Sequence, residues 1–122
     1  LVHPILEGPY RVGMAMADVQ EIAKDRGAWR TEGQPGEGDS AIVWSKPDTT
    51  DAHVFTILSV DPDDEELVIV SIDGGQRTST NVRTISKRLR TWVPTKEGWQ
   101  DRPDGGTAKT VRGWVDLEAL FA

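Results

Sequence analysis

His53 is the residue whose type and neighbours could do chemistry. It heads an apolar run, Val54 to Val60, that turns at Asp61-Pro62-Asp63-Asp64-Glu65, returns as Leu67 to Ile72, and ends on Asp73-Gly74-Gly75-Gln76. An imidazole titrates near neutrality, and a carboxylate or amide beside it can hold the ring in one tautomer, as a general base requires. A hairpin delivers such a neighbour. With its tip at Asp63-Asp64, His53 lies opposite Gly74, and a slip of one residue or a bulge puts it opposite Asp73 instead. Gln76, just past the two glycines, can curl back over the same strand start. His53 as base, with Asp73 or Gln76 as its orienter, would suit acyl transfer of the cysteine-hydrolase kind. The nucleophile of that set is missing, because the chain contains no Cys.

Other chemistries fit less well. His3 and His53 are the only histidines and there is no thiol, so neither a metal site nor any other cofactor is expected. The acidic run Asp61 to Glu66 lacks the Gly and the spaced terminal Glu of a calcium loop and reads as a solvated turn. Gly36-Glu37-Gly38 precedes a strand rather than a helix, which rules out a phosphate loop or a dinucleotide fingerprint. Fourteen Lys and Arg against twenty Asp and Glu give a formal net charge of −6, the wrong sign for a phosphate-binding surface, so no nucleic-acid partner is expected. The one basic cluster, Arg83 to Arg90, reads as a solvated strand face or as locally paired. No stretch approaches the roughly 20 apolar residues of a membrane span.

The elements that must position His53 follow from periodicity. At 122 residues, with 37% hydrophobic and 28% charged residues, the chain suits one folded domain with one core, spanning 1–122. Residues 1–13 are a lead-in broken by Pro4, Gly8, Pro9 and Gly13. Ala15 to Arg26 carries apolar residues at three- and four-residue intervals, an amphipathic helix stopped by Gly27. Ser40 to Ser45, Val54 to Val60, Leu67 to Ile72, Arg83 to Val93 and Val111 to Val115 read as strands. Val54 to Val60 is apolar almost throughout, so both its faces should be covered. Glu97 to Lys109, rich in Gly, Pro and Asp, reads as a long surface loop, and Asp116 to Phe121 as a terminal helical turn. The expected fold class is α+β: an N-terminal helix followed by an antiparallel sheet of about five strands.

At these residues the chain resembles a known family. GDSAIVW (38–44), AHVFTILSVD (52–61) and LVIVSIDGGQ (67–76) are similar to the second half of a CHAP-type or NlpC-type domain, the papain-like cysteine hydrolases of bacterial cell walls. The likeness covers roughly residues 15 to 93, with a weaker match at RTWVP and RGWVDLEAL. It implies a papain-like fold, amidase or endopeptidase activity on peptidoglycan, and a secreted or cell-envelope location. Residue by residue, it places Asp39 at the family's Gly-Asp position, His53 at its base, and Asp73 or Gln76 at the position that orients the base. The family's nucleophile is a Cys at the start of a helix near the beginning of the domain. Its absence implies either that a Cys-bearing helix lies upstream of Leu1, or that Cys has been replaced, with the Ala15 helix start as the candidate former site. The domain is then incomplete or inactive as it stands.

Two other readings compete. One is a non-catalytic module that keeps the fold to bind peptidoglycan peptide or a protein partner. The other is a small all-β interaction barrel in which His53 is incidental. Of the five tryptophans, Trp44, Trp92 and Trp114 lie in strand patterns and suit the core or its rim. Trp99, in the Gly-rich stretch, is the candidate for stacking on a sugar or peptide, or for capping the core.

Overall fold

The structure, a computed structural model, describes residues 16–45, 52–77 and 83–122, with 16–18, 74–77 and 83–85 described by backbone alone. The lead-in segment with His3, and the Ala15 helix start, lie outside the described residues. Helix α1 spans Met16–Asp25. Gly27, at φ 69°, ends it: the amide of Gly27 donates to the carbonyl of Lys24 and that of Ala28 to the carbonyl of Ala23. The left-handed glycine lets the chain satisfy the last helical carbonyls from outside the helix.

Seven strands follow: β1 (Trp29–Arg30), β2 (Ser40–Trp44), β3 (Ala52–Asp63), β4 (Glu66–Arg77), β5 (Arg83–Thr95), β6 (Gly98–Pro103) and β7 (Lys109–Val115). Helix α2, Leu117–Leu120, closes the described chain, with the Asp116 carboxylate accepting from the amide of Ala119. All pairings are antiparallel, in the order β1-β7-β2-β3-β4-β5-β6, and β6 also pairs with β7. That last pairing turns the sheet into a closed barrel of six strands, with β1 continuing the ladder beside the far end of β7.

This corrects the α+β, papain-like expectation. The protein is mostly β, and its organising unit is a barrel rather than a helix followed by an open sheet. The difference lies in Gly98–Pro103. Its Gly, Pro and Asp content reads as loop, yet Trp99, Asp101 and Pro103 alternate against Pro94, Trp92 and Arg90 of β5. Gly98 takes φ 118°, and the Thr95 hydroxyl donates to its carbonyl while accepting from the amide of Glu97, so the connection is a tight hairpin.

Inside the barrel, Ala41, Val43, Phe55, Ile57, Leu67, Ile69, Trp92 and Trp114 form one buried cluster. Trp92 packs on Trp114 and Trp99, with ring centroids 5.7 and 6.2 Å away. Large aromatic rings fill a small barrel with few side chains and bury much area each. A second cluster, Ala23, Ala28, Val115 and Leu120, joins α1, α2 and the end of β7 outside the barrel. Gly113 lets this cap approach: a Cβ there would run into the Trp29 ring and come within 2.7 Å of the Arg30 carbonyl.

Two further expectations change. β3 is not covered on both faces: Phe55 and Ile57 point inward, while Val54 and Leu58 remain 38% and 41% exposed. Among the described residues no second layer packs on that side of the barrel, so its outer face is open. The hairpin tip also sits one residue later than expected, with Asp63 paired to Glu66 and Asp64 at φ 60°. Asp tolerates the left-handed turn position better than most residues.

Candidate functional site

A bulge between Ile57 and Ser59 resets the register, so Thr56 pairs with Ile72. One step further along the ladder Phe55 comes level with Asp73, and His53 lies two residues beyond on the same inward face. The imidazole therefore reaches Asp73 diagonally, a separation that long side chains span readily. His53 Nε2 lies 2.6 Å from Asp73 Oδ2, with the His53 side chain 29% exposed and that of Asp73 1% exposed. Among the described residues, Nδ1 of His53 has no hydrogen-bond partner. Gln76 pairs with Thr84 through its backbone, but its side chain lies outside the described set.

Asp73 is held by more than the imidazole. Ser71, two residues back on the same face of β4, donates its hydroxyl to Asp73 Oδ1 at 2.6 Å. Arg90, on β5, donates from Nη2 to Asp73 Oδ2 at 2.5 Å and from Nε to the Ser71 oxygen at 2.9 Å. Its remaining terminal nitrogen, Nη1, donates to Asp101 Oδ2 at 2.6 Å, and the Trp92 indole N–H donates to Asp101 Oδ1 at 3.0 Å. The guanidinium carbon lies 3.8 Å from the centre of the Phe55 ring. Asp73, Arg90 and Asp101 are all buried, so a chain of charge-assisted hydrogen bonds runs through the barrel from Trp92 to His53.

The electrostatics differ along that chain. Burial pushes the Asp73 carboxyl up, but the hydrogen bonds from Ser71 and His53 and the Arg90 charge outweigh it and hold it below the usual carboxylate range. At Asp101 burial is again the largest influence, and here it prevails: the carboxyl is raised in spite of Arg90 and Trp92. An ionised Asp73 can only accept hydrogen bonds, so Nε2 of His53 carries the hydrogen and Nδ1 is the basic nitrogen of the neutral ring. That arrangement can take up a proton from a nucleophile or a water approaching Nδ1.

Arg83 to Arg90 reads from sequence as a solvated strand face or as locally paired, and Arg90 is paired, with Asp73 and Asp101; Asp101 reads as loop, and neither residue stands out as part of a site. The available signal was parity. Arg90 stands two residues from the core Trp92, and Asp101 two residues from Trp99. Asp39, the Gly-Asp residue of the resemblance, sits elsewhere: it accepts from the amides of Gly36 at 2.8 Å and Leu117 at 3.0 Å. It ties the loop before β2 to the start of α2, and burial raises its carboxyl while those two amides oppose the rise.

Trp99 donates its indole N–H to the carbonyl of Gly33 at 2.9 Å and packs against Trp92. It caps the end of the barrel away from His53 and borders two shallow clefts, one beside Lys96 and Gln100 and one beside Gln34 and Pro94. Trp44 faces outward under the Arg112 guanidinium, 4.1 Å from its ring centre. A wider cleft of about 810 Å³, lined by Arg30, Glu37, Asp39, Asp116 and Phe121 among others, opens near Trp99 and far from His53. Among the described residues no group of three His, Asp or Glu side chains could hold a metal ion, and no helix is long and apolar enough to cross a membrane. Searches against protein-family models, curated proteins and solved structures find no match to this chain.

Proposed function

We propose that this barrel carries the base half of a cysteine-hydrolase site acting on peptide or amide bonds of peptidoglycan, as in CHAP-type and NlpC-type enzymes. His53 is the general base and Asp73 its orienter, and hydrolysis of this kind needs a thiol that these 122 residues do not hold. One observation carries the reading: Nε2 of His53 lies 2.6 Å from a buried carboxylate that Ser71 and Arg90 also hold, and the other ring nitrogen has no hydrogen-bond partner among the described residues. A base of that kind contributes typically about 10²- to 10⁴-fold to such a reaction. The substrate class comes from the resemblance of residues 38–76 and not from the geometry.

A second reading has its own support. The sequence holds no Cys, and the described cleft of about 810 Å³ is lined by residues at the opposite end of the barrel from His53. Both facts suit a non-catalytic module that binds peptidoglycan peptide or a protein partner. Turnover of purified peptidoglycan by the longest natural chain, compared with its His53→Ala variant, separates the two. Activity that drops by about 10² or more in the variant supports the hydrolase. Equal activity in both removes the imidazole from the mechanism, and no activity in either supports the binding module.

A further inference from the structure

We infer that Arg90 is a positioning residue for His53: by occupying the same Asp73 oxygen that the imidazole uses, it forces the ring hydrogen onto Nε2 and leaves Nδ1 bare. This rests on reading His53 as a base, and it is tested without turnover.

The argument starts from what the barrel could have used instead. A buried ion pair is often replaced by apolar side chains at no loss of stability, so a guanidinium between two carboxylates inside a small barrel is not accounted for by stability alone. Every nitrogen of Arg90 is engaged: Nε with Ser71, Nη2 with Asp73 and Nη1 with Asp101. Phe55 covers the face of the group. Asp101 is itself pinned by the Trp92 indole, so the fork cannot swing away from Asp73.

The consequence for His53 follows from the inventory of donors. Asp73 Oδ2 faces both Arg90 and His53. If that oxygen took up a proton it could donate to Nε2, and the ring hydrogen would move to Nδ1, inverting the base. A guanidinium does not give up its proton, and its positive charge against Oδ2 disfavours a proton on that oxygen, which therefore stays an acceptor. The Ser71 hydroxyl accepts from Arg90 and donates to Oδ1, which supports the anion and fixes the plane of the carboxylate. The tautomer of His53 is thus set from two strands away, by a residue that acts on it through the shared Asp73 oxygen.

The test is nitrogen NMR of the imidazole in the full chain, at a pH where the parent His53 is neutral, with His53→Gln to assign the signal against His3. The parent should show hydrogen on Nε2 and a bare Nδ1. In Arg90→Met the ratio of bare to hydrogen-bearing Nδ1 should fall about tenfold or more, because loss of a neighbouring cation lets a proton onto the pair. Arg90→Lys, which keeps the charge but not the fork, should restore part of it. Ser71→Ala, which leaves Arg90 in place, should shift the ratio in the same direction by less. It decides the matter if Arg90→Met does not fold. An unchanged bare Nδ1 in folded Arg90→Met, or in Ser71→Ala if that is the only variant to fold, overturns the assignment. Loss of turnover alone says nothing about it.

Discussion

Asp73 and Asp101 are both buried carboxylates on the same guanidinium, yet burial loses at Asp73 and wins at Asp101. Two things differ. Asp73 receives Ser71, His53 and Arg90, whereas Asp101 receives Arg90 and Trp92. Asp101 also lies deeper in the barrel, so burial weighs more on it than on Asp73. Fewer donors and a heavier desolvation cost act in the same direction, and the anion is held more firmly at the His53 end.

The largest effect expected is at the shared partner. Arg90→Met strands both carboxylates, and urea unfolding followed by Trp fluorescence should report a loss of about 3–5 kcal/mol. Asp73→Asn removes the better-served anion and should cost about 2 kcal/mol at neutral pH. Because the folded value of Asp73 lies below the ordinary 3.8, its contribution is present above that pH and disappears as pH falls through the lowered value. The variant should accordingly flatten the acid limb of the stability curve.

Asp101→Asn should cost less, about 1 kcal/mol, and act on the curve in the opposite sense. Its folded value lies above 3.8, so the chain gains stability as pH falls through that raised value and loses it as pH rises. Removing the group should steepen the acid limb, and a flatter limb would contradict the asymmetry. Ser71→Ala, the smallest change, should cost about 1 kcal/mol and move Asp73 toward the behaviour of Asp101.

Much of the scaffold was legible in the residues. The helix ending at Gly27 and the strands around Ile42, Ile57, Ile69 and Trp114 follow from period and from turn residues. Hairpin pairing brings Asp73 or Gln76 near His53 without choosing between them, and the register that meets Asp73 comes from a later tip and a bulge at Leu58 that turn length does not reveal. A small all-β barrel was among the competing readings, but the strand that closes it was not legible, because β6 is short and its Gly98, Asp101 and Pro103 carry loop chemistry. Arg90 was not legible either. A charged side chain between Leu89 and Thr91 reads as surface unless its partners on two other strands are known, and those partners are set by tertiary pairing.

The two-rung seam between β6 and β7, Gln100 with Thr110 and Asp101 with Lys109, has a consequence for how this protein could meet others. Along that seam the ladder has no open edge, and β1, only two residues long, is the edge strand of the described sheet, which limits the backbone free for edge-to-edge pairing. Strand addition between β6 and β7 would first have to unbutton those two rungs, dragging Asp101 and its hold on Arg90 out of the interior. The amides of the seam should be among the first in the barrel to exchange with deuterium.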